Sequence, residues 1–232
     1  MAITAALAEI RERIVKTCQR IGRNPDSIHL MAVSKLHPRC ALEEAYHAGV
    51  RLFGENRVQE AAEKLVGFHE QHPDAEVHLI GSLQRNKVRT ALDLFDAVQS
   101  VDRESLIDTL GNATAGRDHP LPVLFELHTG EDTKTGFSGI DSLFHATEVA
   151  AHFPGIAVHG LMTVAPFTSD EQAIRAAFRA LAVAQKKMQQ AFPDQDFSCL
   201  SMGMSGDFEI AIEEGSTLVR IGTALFGNRL TL

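Results

Sequence analysis

The chain has 232 residues, 44% hydrophobic and 22% charged, a balance suited to a globular fold with a sizeable core, as one large domain or two small ones. A net charge of −8 and a pI near 5.7 argue against a general binder of nucleic acid or anionic membrane, while leaving room for a local basic pocket around one phosphate. Three cysteines (Cys18, Cys40, Cys199) without a CxxC pair, no apolar run of membrane-spanning length and no signal-peptide order predict a soluble cytoplasmic protein.

The opening segment MAITAALAEIRERIVKTCQR places Ile3, Leu7, Ile10 and Ile14 on one stripe and predicts an amphipathic helix. Short apolar runs then alternate with helical patterns. Strands are expected at 29–35, 51–55, 77–82, 97–101, 121–129, 157–164, 197–204 and 218–226. Helices are expected at 39–48, 57–69, 84–92, 103–115, 142–152, 169–192 and 208–214. In the longest, Ile174, Phe178, Leu181 and Met188 keep helical spacing, Thr168-Ser169-Asp170-Glu171 supplies a capping start, and Pro193 lies just beyond the end. The strands are continuously apolar rather than alternating, as strands covered on both faces require. About eight strands alternating with about as many helices predict a single (β/α)8 TIM-type barrel over residues 1–232 with an extra N-terminal helix. An open doubly wound sheet is the alternative, because periodicity does not register sheet closure.

In such a barrel, functional residues sit at the C-terminal ends of the strands, and phosphate commonly binds after strands seven and eight. Met31-Ala32-Val33-Ser34-Lys35 delivers one lysine to the end of an apolar run. Lys35 is poorly placed for solvation and well placed to be an amine of lowered pKa that condenses with a carbonyl; a lysine snorkelling from a strand end is the alternative. Near the other end, one loop carries Ser201, Met202, Gly203 and Ser205, and a second carries Gly222 and Thr223. Glycines, hydroxyls and helix-start N–H groups suit a phosphate cradle, although either loop alone reads equally as turn punctuation. A Schiff-base lysine with a distant phosphate cradle suggests pyridoxal 5'-phosphate (PLP). Arg220, inside Leu218-Val219-Arg220-Ile221, is costly to bury unpaired. Either it forms a structural ion pair with an acidic residue, or it faces the pyridine nitrogen of the cofactor and weakens the ring as an electron sink. Asn56, closing Phe53-Gly54-Glu55-Asn56, either hydrogen-bonds a bound ring or acid or caps the next helix; Asn86 and Lys87 read as helix structure. The histidines show no convincing metal set.

A series of ordered motifs runs through essentially the whole chain: Ala32-Val33-Ser34-Lys35, Phe53-Gly54-Glu55-Asn56, His78-Leu79-Ile80-Gly81, Gly160-Leu161-Met162, Leu200-Ser201-Met202-Gly203-Met204-Ser205 and Val219-Arg220-Ile221-Gly222-Thr223. In these the sequence resembles the pyridoxal phosphate homeostasis protein family. The resemblance implies a barrel like the N-terminal domain of alanine racemase, with PLP held as an internal aldimine on Lys35. It implies phosphate contacts from the 201–205 loop and from Gly222-Thr223, with Arg220 near the ring nitrogen. The family often has a threonine-lysine pair after the Schiff-base lysine, where this chain has Leu36-His37. Lys134, in Thr133-Lys134-Thr135-Gly136, matches a family lysine before strand six.

The implied function is PLP (vitamin B6) and amino-acid homeostasis without established turnover, by a monomer whose recipients include PLP-requiring apo-enzymes. The alternative is a PLP-dependent racemase of a small amino acid. Racemases of the alanine type use two opposed bases, a lysine and a tyrosine, together with a C-terminal β-domain. This chain ends at Leu232 directly after strand eight, and its single tyrosine, Tyr46, is expected on a helix, which favours the carrier.

Overall fold

The apolar runs become β1 His29–Val33, β2 Leu52–Glu55, β3 Glu76–Leu79, β4 Ala97–Val101, β5 Leu121–Glu126, β6 Ile156–Met162, β7 Cys199–Ser201 and β8 Leu218–Ile221. In this computed structural model, which describes residues 2–130 and 135–227, they form a closed parallel barrel in sequence order. β1 pairs with β8 in the register Met31 to Arg220 and Ala32 to Ile221, which closes the sheet and removes the doubly wound alternative. Around it lie α1 Ala2–Ile21, α2 Arg39–His47, α3 Val58–Lys64, α4 Phe68–Gln71, α5 Val88–Leu94, α6 Glu104–Ala113, α7 Ile140–Ala150, α8 Glu171–Ala191, α9 Phe208–Glu213 and α10 Thr223–Phe226.

α1 buries the expected stripe of Ile3, Leu7, Ile10 and Ile14. α8 buries Ile174, Phe178, Leu181 and Met188, and the Asp170 side chain caps its start by accepting the Gln172 N–H. Three expectations shift. The helix expected over 57–69 splits into α3 and α4, because Gly67 takes the left-handed conformation (φ 66°) between them. The strand expected over 197–204 stops at Ser201, and Gly203 turns the chain at φ 95°. The strand expected over 218–226 stops at Ile221, and its second half coils into α10 with Leu225 buried. A short apolar run satisfies either strand or helix, and packing chooses.

The main core lies between sheet and helices, where Phe53, Phe68, Phe125, Phe178, Phe197 and Phe208 are fully enclosed. A second, small cluster of Met31, Val33 and Leu218 fills the barrel interior, with Leu52, Ile80 and Cys199 against it. Because strand side chains alternate between faces, this cluster shows which positions lead to the C-terminal mouth from inside. Met31 and Val33 lead to Lys35, Leu52 and Gly54 to Asn56, Cys199 and Ser201 to Gly203, and Leu218 and Arg220 to Gly222.

Gly160 of β6 stands opposite Cys199 of β7 with no room for a side chain. It sits at φ 148°, and a Cβ there would lie 2.0 Å from the Cys199 carbonyl oxygen. The Gly160→Ala variant is therefore expected to lose about 1–3 kcal/mol of stability by overpacking. Urea unfolding measures this; an unchanged midpoint would show that the two strands separate freely.

Candidate cofactor-binding site

Beyond β1 the Ser34 N–H still pairs with the Gly54 carbonyl (3.1 Å), and half-buried Lys35 follows at the barrel mouth. The chain then turns, with the His37 N–H donating to Ser34 O (3.0 Å). Leu36 adopts φ 62° and is the one non-glycine residue with positive φ among the described residues. For a leucine that conformation costs about 1–2 kcal/mol. A buried polar cluster compensates. The Leu36 N–H donates to Glu60 Oε1 (2.5 Å), and Ser34 Oγ donates to Glu55 Oε1 (2.6 Å). Lys64 Nζ donates to Ser34 O (2.8 Å), Glu55 Oε1 (2.8 Å) and Glu60 Oε1 (2.9 Å). Burial pushes the Glu55 carboxyl above its ordinary range, against the pull of Lys64 and the Ser34 hydroxyl. Partial burial opposes ionisation of Glu60 as well, but its bonds from Lys64 and Leu36 outweigh it and hold its pKa down.

Sequence reasoning missed this cluster. Glu55 stood in a recognised motif, and Glu60 and Lys64 have i,i+4 spacing, yet nothing local shows Lys64 turning inward. Asn56 does not cap α3, whose N-cap is Arg57 without a side-chain bond. The Asn56 Oδ1 is instead buried without a hydrogen-bond partner, beside a cavity of about 460 Å³ bordered by Ser82, Gln84 and Lys87.

Arg220 is buried inside the barrel, and its guanidinium reaches from β8 to the ends of β6 and β7. Nη1 donates to both Ser201 O and Ser201 Oγ (2.7 Å each), and Nη2 to Thr163 O (2.7 Å). Desolvation pulls its pKa down to about 10, while the charges of Glu126 and Asp207 support the cation, so it stays ionised at neutral pH. Of the expected alternatives, the acidic support is therefore present, but carbonyls and a hydroxyl set the orientation. Ser201 Oγ in turn donates to Gln99 Oε1 (2.6 Å), and Gln99 Nε2 donates to His78 Nδ1 (2.9 Å).

The hydroxyl hydrogen of Ser201, expected among the phosphate contacts, is directed to Gln99 in this structure. The Met202 side chain is enclosed, and its N–H bonds Leu218 O (3.1 Å). Gly203 serves close packing, since a Cβ there would meet Ala211 Cβ at 2.5 Å. The two expected loops do meet through Ser205, whose Oγ accepts the N–H groups of Gly222 (3.3 Å) and Ala224 (3.1 Å). Two backbone N–H groups thus converge, as a fork, on one hydroxyl oxygen. A Cβ on Gly222 would lie 3.4 Å from Val33 O, so this fork stands beside the end of β1. Thr223 is exposed as the first residue of α10, and His37 stacks on Phe226 at 5.0 Å, tying the Lys35 turn to that helix.

Lys134 lies outside the described residues. Tyr46 lies on α2, its hydroxyl bonded to Asp74 and its ring 4.1 Å from the Arg51 guanidinium, next to the start of β2 and at the end of the barrel opposite Lys35. Among the described residues no helix is long and apolar enough to cross a membrane, and no His, Cys, Asp or Glu cluster suits a metal ion.

A parallel (β/α)8 barrel with a lysine after its first strand fits the class of the alanine racemase N-terminal domain, whose family model matches residues 6–229. Within that class the chain belongs to the pyridoxal phosphate homeostasis protein family. It is 42% identical over 231 residues to the pyridoxal phosphate homeostasis protein of Vibrio cholerae, covering 98% of this chain and 97% of that one. It is 38% identical to the protein of the same name from Escherichia coli K12, covering 96% and 95%. Among solved structures, PipY of Synechococcus elongatus with PLP bound matches at TM-score 0.85 and 34% identity, over 97% of this chain and all 100% of that one. Alanine racemase from E. faecalis matches at TM-score 0.67 and 20% identity over 98% of this chain and 60% of its own, a likeness of fold alone.

The Ser201→Ala variant is expected to lose about 1–3 kcal/mol of stability, since it strips a partner from both Gln99 and Arg220. Its affinity for inorganic phosphate should match that of the parent chain. Urea unfolding and phosphate titration check the two halves, and a loss of phosphate affinity without a loss of stability would return Ser201 to the cradle.

Proposed function

We propose that the protein binds PLP through Lys35 and serves PLP and amino-acid homeostasis, as a single-domain cytoplasmic monomer that supplies PLP-requiring apo-enzymes. The carrying observation is the Gly222–Ala224 N–H fork standing beside the strand end that presents Lys35. The family membership and the PLP-bound PipY support the choice of cofactor. When bound, PLP supplies an aldehyde that condenses with an amine, losing one water.

The chain's own residues divide the remaining work. Lys35 presents its amine from the inward-facing row of β1. Ser205, the N–H groups of Gly222 and Ala224, and the Thr223 hydroxyl hold the phosphate, with Ser205 turning from acceptor to donor. Arg220, fixed by Ser201 and Thr163, sets a cation deep in the mouth that disfavours protonation of the ring nitrogen. The Asn56 amide offers a buried oxygen to a ring substituent. Two features favour holding over racemisation: the cation weakens the ring as an electron sink, and Tyr46 stands at the far end of the barrel, where it serves no site at the mouth.

Borohydride reduction followed by peptide mapping should place a pyridoxyl group on Lys35, and Lys35→Ala should lose the corresponding absorbance; an adduct solely on another lysine sinks the assignment. Thr223→Val removes a charge-assisted donor worth roughly 1.5–3 kcal/mol, so PLP affinity should fall about tenfold or more. Affinity for unphosphorylated pyridoxal should change little, and equal losses would assign Thr223 to the fold. Alanine should show no racemisation near the enzyme median of about 10 s⁻¹. Solvent-deuterium incorporation at the α-carbon tests this, and turnover at that scale, abolished by Lys35→Ala, would establish the racemase instead.

A further inference from the structure

We propose that Glu55, Glu60 and Lys64 are positioning residues for Lys35, forming a buried clamp on the two peptide groups that flank it. The inference rests on the reading of Lys35 as the cofactor lysine and adds what aims it. Lys64 has three ammonium hydrogens. Its acceptors are Ser34 O, Glu55 Oε1 and Glu60 Oε1, all within 2.9 Å, and its side chain is 6% exposed. That ammonium is therefore saturated and is not a second ligand-binding lysine.

Stability alone explains such a cluster poorly, because an apolar set of similar volume usually serves a core as well or better than a buried ion pair. Charges provide direction instead. Ser34 O belongs to the peptide immediately before Lys35, and the Leu36 N–H to the peptide immediately after it. Lys64 holds the first and Glu60 holds the second. Glu55 ties down the Ser34 side chain and shares Lys64. The contacts come from β2 and α3, so the Cα–Cβ direction of Lys35 is set by two elements outside its own strand. Leu36 at φ 62° is the visible consequence. Without the Glu60 acceptor a leucine would relax to negative φ, rotating the peptide and swinging the Lys35 side chain away from the fork.

Capture requires the neutral Lys35 amine to attack the aldehyde carbon. The C=N bond forms, and the carbonyl oxygen leaves as water with both amine hydrogens. An aimed amine shortens the search for that geometry, whereas docking of the phosphate and ring is left to the other residues.

The test compares two ligands on the full chain. Stopped-flow absorbance follows capture of PLP, and titration measures affinity for pyridoxine 5'-phosphate, which has the ring and phosphate but no aldehyde. Lys64→Met and Glu60→Ala should slow capture by about tenfold or more, as small misplacements of a reacting group do. Their affinity for pyridoxine 5'-phosphate should remain that of the parent. Glu60→Gln keeps an acceptor for the Leu36 N–H and should capture nearly as fast as the parent. Adding Leu36→Gly to Glu60→Ala should recover part of the rate, since glycine accepts positive φ unaided. Should Lys64→Met fail to fold, Glu60→Ala decides, because that side chain is partly exposed (22%). Undiminished capture, or equal loss of both ligands, overturns the clamp. The Lys35→Ala control separates the two readings: capture persisting there would remove the cofactor assignment and the clamp with it, whereas capture lost there but intact in the clamp variants would remove the clamp alone.

Discussion

Everything at the barrel mouth depends on β1 pairing with β8. These strands are the first and last of the sheet, and Met31 set against Arg220 brings the lysine that follows β1 beside the loop that follows β8. A slip of one residue would turn Met31, Val33 and Lys35 from the barrel interior to the helix layer, because strand side chains alternate. The enclosed cluster of Met31, Val33 and Leu218 resists that slip, since the exchange would push other residues into a space these fill. One small apolar contact thus keeps the lysine both on the inward row and beside the Gly222–Ala224 loop.

Above that apolar layer the interior becomes polar. The chain of hydrogen bonds from Arg220 through Ser201 and Gln99 to His78 joins β8, β7, β4 and β3 across the barrel. A guanidinium in such a place is tolerable only where several oxygens meet it, and three bonds of 2.7 Å do so. The resulting cation is held in one orientation, as a flexible surface arginine is not. Conformational strain has a similarly local logic. Leu36 is held in a left-handed turn next to Lys35, and the groups that hold it are charged and drawn from the neighbouring strand and helix.

Much was legible in the sequence because it depends on local pattern. Eight apolar runs alternating with helical stripes followed from side-chain periodicity, and α1 and α8 bury the residues that their spacing marked. Lys35 and Arg220 stood out because each is a cation attached to an apolar run. Helix breaks and strand ends were less legible. Gly67 interrupts a helix that its neighbours would continue, and the segment after Ile221 coils although its apolar composition suits a strand.

By itself the sequence determined the order of elements, the alternating α/β class and the identity of the strand-end lysine and the two glycine-bearing loops, all of which follow from neighbours a few positions apart. Only the tertiary structure decided the partners. Ser201 bonds Gln99, 102 residues away, and Lys64 turns inward to Ser34, 30 residues away. No periodicity carries that information. A hydroxyl or ammonium takes whichever acceptor the closed barrel brings within reach, and closure is a property of the first and last strands together.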